Sequence, residues 1–398
     1  MKLIYIFTTR VIASYEKEYG ISHFRNRGWE IEICDMSPII TPVAYERIKT
    51  GVYIGNDIRL FYSKREYKEY IKNMKGEAVF ICPDFNRLST QFLFHNLRKE
   101  HLHGFFWLDS PTTTAENYSN KIRKFDMKRI LNSIYIRLPH VIQKIPPAGF
   151  IIMSMGEEHE RLKELAYKNK NTIIKYVPGS NFEQYLQTKN KKGRLIQEKY
   201  CVFIDEYIGY HPDIKEIGIV YTQDEIDLYY AELRNFFFYL EKSMGLKVIV
   251  ALHPRADYSN HPECYKGFRT IRFKTVELVK DCEFAMTHYS DAIAYAVLFH
   301  KPCFMIRTTM IKKTSHMIYI MDMIEKQFHM HQVNISSEDY KNLRLQDFLK
   351  TDSAFLDECI KRYYYRDYVD ENTEIKSLWS QVEECIEEVV KMRSGKVC

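Results

Sequence analysis

Short apolar runs alternate with segments of helical periodicity along most of the chain. The first run, Leu3–Phe7, leads into a spacing that predicts an amphipathic helix over Tyr15–Arg27, a stop at Gly28, and a second strand over Trp29–Cys34 ending at Asp35. A strand, a helix and a strand within about 35 residues make one unit of a doubly wound parallel sheet. The Gly-rich dinucleotide fingerprint is missing from it. Further strands are predicted at Ala78–Cys82, Gly104–Leu108, Gly149–Met153 and Thr172–Val177. Several end in polar groups, namely Asp84, Asp109 with Ser110, and Ser180 with Asn181, which become candidates for the acceptor side of a cleft.

The basic, aperiodic stretch Thr188–Leu195 predicts a domain boundary. Beyond it the alternation resumes, with a strand at Tyr200–Ile204, a helix over 223–243, strands at 247–252 and 269–273, a helix over 275–281, a strand at 283–287, a helix over 291–299 and a strand at 302–306. From Met310 the chain reads as mostly helical, and residues 375–392 carry an amphipathic face. The expected division is 1–190, 195–374 and a closing helix in 375–398.

Candidate chemistry sits at the strand ends of the second half. The run Lys247–Leu252 has the character of a buried parallel strand, and it stops at His253-Pro254-Arg255. Proline fixes its own φ and biases the residue before it to an extended conformation, so His253 is held at the strand tip, where open α/β sheets bind ligands. An imidazole beside a guanidinium suits a phosphate. Thirty-odd residues downstream, Thr287, Tyr289, Ser290 and Asp291 precede an apolar helix, whose unpaired amides are a second phosphate-competent element. The pair Asp205-Glu206 follows the strand Tyr200–Ile204. Strand alternation sends the two carboxylates to opposite faces.

Over residues 201–306 the chain resembles the bacterial GT-B sialyltransferases and polysialyltransferases, which transfer nonulosonic acids or Kdo from CMP donors. His253-Pro254 is similar to the family's HP motif, Ser290 stands where it has a Ser-Ser or Ser-Thr pair, and Asp205-Glu206 matches its acidic pair. Tyr289 replaces the first serine, and no glycine follows the acidic pair. The resemblance implies two Rossmann-like domains facing a cleft, with a last helix crossing back to the first. It also implies an inverting, metal-independent transfer from a CMP-activated sugar to a capsule or lipopolysaccharide glycan, with no cofactor. His253 would meet the phosphate together with Pro254, Arg255, Thr287, Tyr289, Ser290 and Asp291, and the base would be Asp205, Glu206 or, from the other domain, Asp109. Two alternatives stay open: a CDP-alditol phosphotransferase or UDP-sugar transferase or epimerase of the same fold, and a non-catalytic protein that binds a nucleotide or glycan.

Composition narrows the class further. At 398 residues the chain is long enough for two α/β domains, its 45% apolar and 28% charged content is globular, and no apolar run approaches the ~20 residues of a membrane span. Leu3–Phe7 runs straight into Thr8-Thr9-Arg10, as a first strand does and a signal-peptide core does not. Nine scattered cysteines without C-x-x-C spacing predict reduced thiols in a cytoplasm. His101 with His103 and His329 with His331 lack clustered partners at ligand spacing, so no metal is expected. A formal charge of +6 falls short of a nucleic-acid-binding signature. Local basic runs, including Lys121–Lys128, combined with 30 tyrosines and 24 phenylalanines suit peripheral contact with the anionic inner-membrane face.

Overall fold

Two parallel sheets carry the chain in the computed structural model. The structure describes residues 2–48, 51–74, 78–83, 88–100, 102, 104–109, 127–135, 137–139, 142, 149–154, 156–158, 168–211, 214, 219–254, 256–370, 372 and 374–393. The first sheet has β1 (Lys2–Phe7), β2 (Glu30–Asp35), β3 (Ile58–Leu60), β4 (Ala78–Cys82), β5 (Gly104–Asp109), β6 (Phe150–Ser154) and β7 (Ile173–Val177), in the order β3-β2-β1-β4-β5-β6-β7. The second has β8 (Tyr200–Ile204), β9 (Lys247–Leu252), β10 (Arg269–Arg272), β11 (Ala285–Thr287), β12 (Cys303–Arg307) and β13 (Gln332–Asn334), in the order β10-β9-β8-β11-β12-β13. Every strand pair runs parallel.

Strand periodicity builds the cores directly. In β1 the side chains of Ile4 and Ile6 enter one apolar cluster while Leu3, Tyr5 and Phe7 enter another, so the strand is buried on both faces. The second sheet and its helices form one continuous core. β3 and β13, three residues each at a sheet edge, were not predicted because Ile-Arg-Leu and Gln-Val-Asn are too short and too polar to show a period.

The helix expected over Tyr15–Arg27 forms as two pieces, Tyr15–Glu18 and Ile21–Asn26. Gly20 separates them with φ +64° in the left-handed region, and the Trp379 ring packs so tightly against it that a Cβ there would collide with the indole. Trp379 belongs to the closing helix, Leu378–Arg393, whose Leu378, Trp379, Val382, Cys385 and Ile386 share a core with β1. Glu383 of that helix is held by Trp29 Nε1 (2.9 Å), His23 Nε2 (3.1 Å) and Arg27 Nε (3.2 Å). The last helix therefore crosses back to the first sheet, as expected.

The crossing from the first sheet lies earlier than the basic stretch 188–195. The helix Ser180–Lys189 places Phe182 and Tyr185 in the core of the second sheet, against Phe299, Tyr365 and Tyr368. The chain thus leaves the first sheet at Pro178-Gly179. The later stretch, marked by its basic charge and lack of periodicity, overlaps the last residues of that helix and from Asn190 on is an exposed turn after it.

Candidate active site

In the second sheet the strand order reverses between β8 and β11, which puts the C-terminal end of β8 at the topological switch point. Asp205 and Glu206 follow it directly, and as alternation requires they turn to different neighbours.

Asp205, 1% exposed, joins β8 to the tip of β9. Its Oδ1 accepts from the Tyr265 hydroxyl (2.8 Å) and the Tyr207 amide (2.9 Å), and its Oδ2 from the Tyr258 hydroxyl (2.9 Å) and the His253 amide (3.3 Å). Burial raises the carboxyl above its usual range, against the pull of these donors. Tyr207 takes a left-handed φ of 56° to bring its amide back onto Asp205.

Glu206 reaches the other way, toward β11. Its Oε1 accepts from the Thr287 hydroxyl and from the amides of His288 (2.9 Å), Tyr289 (3.0 Å) and Ser290 (3.0 Å). These are the groups expected to face a donor phosphate. They are instead occupied by a carboxylate from the neighbouring strand, because Thr287 and His288 are fully buried and need an internal partner. Burial pushes the Glu206 carboxyl up to about 7, and its buried Oε2 has no hydrogen-bond partner among the described residues.

His288, which the sequence offered no reason to single out, lies between these elements. Its Nδ1 is 2.6 Å from the Ile306 carbonyl and its Nε2 is 2.9 Å from the Tyr229 hydroxyl. Burial pushes it down to about 4, so the ring is neutral, with Nδ1 donating to the carbonyl and Nε2 accepting from the phenol. It braces the core rather than facing solvent.

His253 is half-buried at the end of β9 and meets the His211 ring edge-on, with centroids 4.9 Å apart. The Ala256 amide donates to its carbonyl at 2.9 Å, closing a turn around exposed Pro254. His253, Pro254, Asp205 and Ser290 line one wall of a cavity of about 440 Å³ between the two sheets. Ser290 Oγ accepts from the Ala292 amide at 3.2 Å, and the helix that follows, Ile293–Leu298, is shorter than expected. Asp291 is exposed, Tyr289 is half-buried, and neither they nor Thr287 line the cavity. Arg255 and Asp84 lie outside the described residues. Asp109 ends β5 opposite Ser154, and its side chain also lies outside them.

The opposite wall was not foreseen. Ser14, Lys17 and Glu18, from the short helix Tyr15–Glu18 and its leading residue, face the cavity from the first domain, and Trp379 and Glu183 line it as well. Only the placement of that helix after the C-terminal end of β1 could have pointed to them. Glu183 is engaged by the Leu378 amide (2.8 Å) and Gln187 (2.8 Å), whereas Glu18 makes no side-chain hydrogen bond among the described residues. The cavity thus sets an imidazole and a hydroxyl on one wall against an ammonium and an open carboxylate on the other.

No protein-family model and no curated protein sequence matches the chain. Among solved structures it is similar to the wall teichoic acid polymerase TagF, with 12% identity, a TM-score of 0.52, and coverage of 98% of this chain and 89% of that one. Weaker likenesses include the calicheamicin glycosyltransferase CalG4 (10% identity, TM-score 0.49, 98% of both chains). MurG of Acinetobacter baumannii is another (6% identity, TM-score 0.44, 97% of this chain and 99% of that one). The fold is GT-B: two Rossmann-like domains facing a cleft, with the closing helix returned to the first. Identities this low establish the fold and leave the chemistry to the site.

Proposed function

We propose that the protein is a glycosyltransferase that moves a nonulosonic acid or Kdo from a CMP donor to a cell-surface glycan. The observation that supports this most is the interdomain cavity, which holds His253 and Ser290 opposite Lys17 and Glu18. As the glycosidic bond breaks, its electrons go to the CMP phosphate, and in this reading His253 with the Ser290 hydroxyl takes up that charge. The acceptor hydroxyl attacks the anomeric carbon from the other side and must lose a proton.

Two carboxylates of the original set are poorly suited to receive it. Asp205 has four donors on its two oxygens, and Glu206 lies behind the 287–290 backbone without lining the cavity. Glu18, on the first-domain wall, offers open lone pairs and is our first choice of base, with Asp109 of the same domain second. Asp205 then acts as a positioning group that fixes the His253 backbone.

A thermal-shift panel of CMP, CDP, UDP and GDP tests the donor. A nucleotide at one hundred times its Kd stabilises the folded protein by about 2.7 kcal/mol, enough to separate CMP from the others. A response confined to CDP or UDP would transfer the site to an alditol phosphotransferase or a UDP-sugar enzyme, and no response to any of the four would leave a glycan-binding role.

A further inference from the structure

One helix of the first domain is turned inside out. In Met127–Tyr135 the apolar side chains Met127, Ile130, Leu131 and Ile134 recur at helical spacing and are between 40% and 56% exposed. The polar Asn132 and Ser133 are half-buried instead, and Tyr135 is buried. Beyond the helix Leu138 (36%) and Ile142 (58%) are exposed as well. An amphipathic helix in a globular domain normally faces its apolar side inward, and a contiguous exposed apolar stripe marks a surface that another phase or partner covers.

Charge and size choose between occupants. Residues 127–142 contain three basic residues, Lys128, Arg129 and Arg137, and no acidic one. Nine residues at ~1.5 Å rise give a helix about 14 Å long and ~10 Å across, far less than the ~800 Å² that a specific protein partner covers on each side. Interfacial insertion needs no such area, because it sums a few apolar side chains with the attraction of Lys and Arg to anionic headgroups. Among the described residues no helix is long and apolar enough to cross a bilayer, so this face would lie on the membrane rather than span it.

We propose that the helix Met127–Tyr135 docks the protein on an anionic lipid bilayer, lying in the headgroup plane with Met127, Ile130, Leu131 and Ile134 inserted. The helix is tied to the segment that follows β4, where the Leu88 amide donates to Asn132 Oδ1 at 3.0 Å and Leu88 is itself 44% exposed. Docking would therefore bring the C-terminal edge of the first sheet toward the lipid surface. The proposal does not depend on the nucleotide chemistry.

The test is co-sedimentation of the full chain with phosphatidylcholine vesicles, with and without roughly 30% phosphatidylglycerol, at low and high salt. The wild-type protein should sediment with the anionic vesicles and be released as salt rises. The pair Ile130→Gln and Ile134→Gln should weaken binding at least tenfold with an unchanged melting temperature, since both side chains are already exposed. The pair Ile130→Leu and Ile134→Leu should bind as the wild type does. No sedimentation of the wild type, equal binding by the Gln pair, or a wild-type dimer in light scattering that the Gln pair dissociates would each overturn the proposal, the last by giving the face to a second copy.

Discussion

The carboxyl of Glu206 makes the sharpest prediction about this fold, because two opposing effects meet on one group. Four donors on Oε1 favour the carboxylate, and burial without a partner for Oε2 favours the neutral acid. Burial wins, moving the group from its ordinary 4.5 to about 7. A raised acid binds its proton more tightly folded than unfolded, so its contribution to stability is fully present below pH 4.5 and is lost as pH rises through 7. At about 1.4 kcal/mol per unit, the interval from 4.5 to about 7 amounts to roughly 3 kcal/mol. Glu206→Gln mimics the neutral acid: one oxygen still accepts from the 287–290 backbone, and the amide NH₂ takes the place of the protonated oxygen. Urea denaturation of both proteins at pH 4.5, 6 and 7.5 reads the difference. The two should be close in stability at pH 4.5, and the variant should gain on the wild type by about 3 kcal/mol by pH 7.5. Asp205, whose carboxyl is also raised, is common to both proteins and cancels. Parallel pH profiles, or a variant that falls behind as pH rises, would refute the reasoning by showing that the four donors keep Glu206 charged.

His253→Ala should leave the melting temperature within a few degrees of wild type and reduce transfer on the order of 10²-fold or more, measured as turnover of the nucleotide sugar that the thermal-shift panel selects. Glu18→Gln should abolish transfer while that nucleotide still binds, as seen by calorimetry; full activity would move the base to Asp109 or Asp205. Gly20→Ala forces a side chain into a left-handed φ and into the Trp379 ring, and should destabilise the closing helix by about 2 kcal/mol in urea. Tyr258→Phe leaves Asp205 with one phenol fewer and should raise its pKa further; NMR titration of the carboxyl checks the direction.

Much of the second domain was legible because its strands are buried on both faces and punctuated by glycine and proline. Lys247–Leu252 stops at His253-Pro254 because proline cannot extend the ladder, and the β8 run Tyr200–Ile204 is unbroken because both its sides face apolar neighbours. The closing helix showed its face through the spacing of Leu378, Val382 and Ile386, although which sheet it covers depends on Trp379 meeting Gly20, a contact 359 positions apart that no local pattern encodes. The site was harder to read for the same reason. Acidic residues after a strand at a switch point suggest catalysis, and Asp205 and Glu206 also meet a structural need: at the point where the sheet reverses, the buried amide of His288 and the half-buried amides of His253, Tyr289 and Ser290 find their acceptors there. The two carboxylates supply them and tie the end of β8 to the tip of β9 and to the turn after β11. A strand-end carboxylate is therefore identified as base or brace by counting the donors already on its oxygens. By that count the base we propose is Glu18, across the cleft, a residue whose helix has only four residues and carries no motif at all.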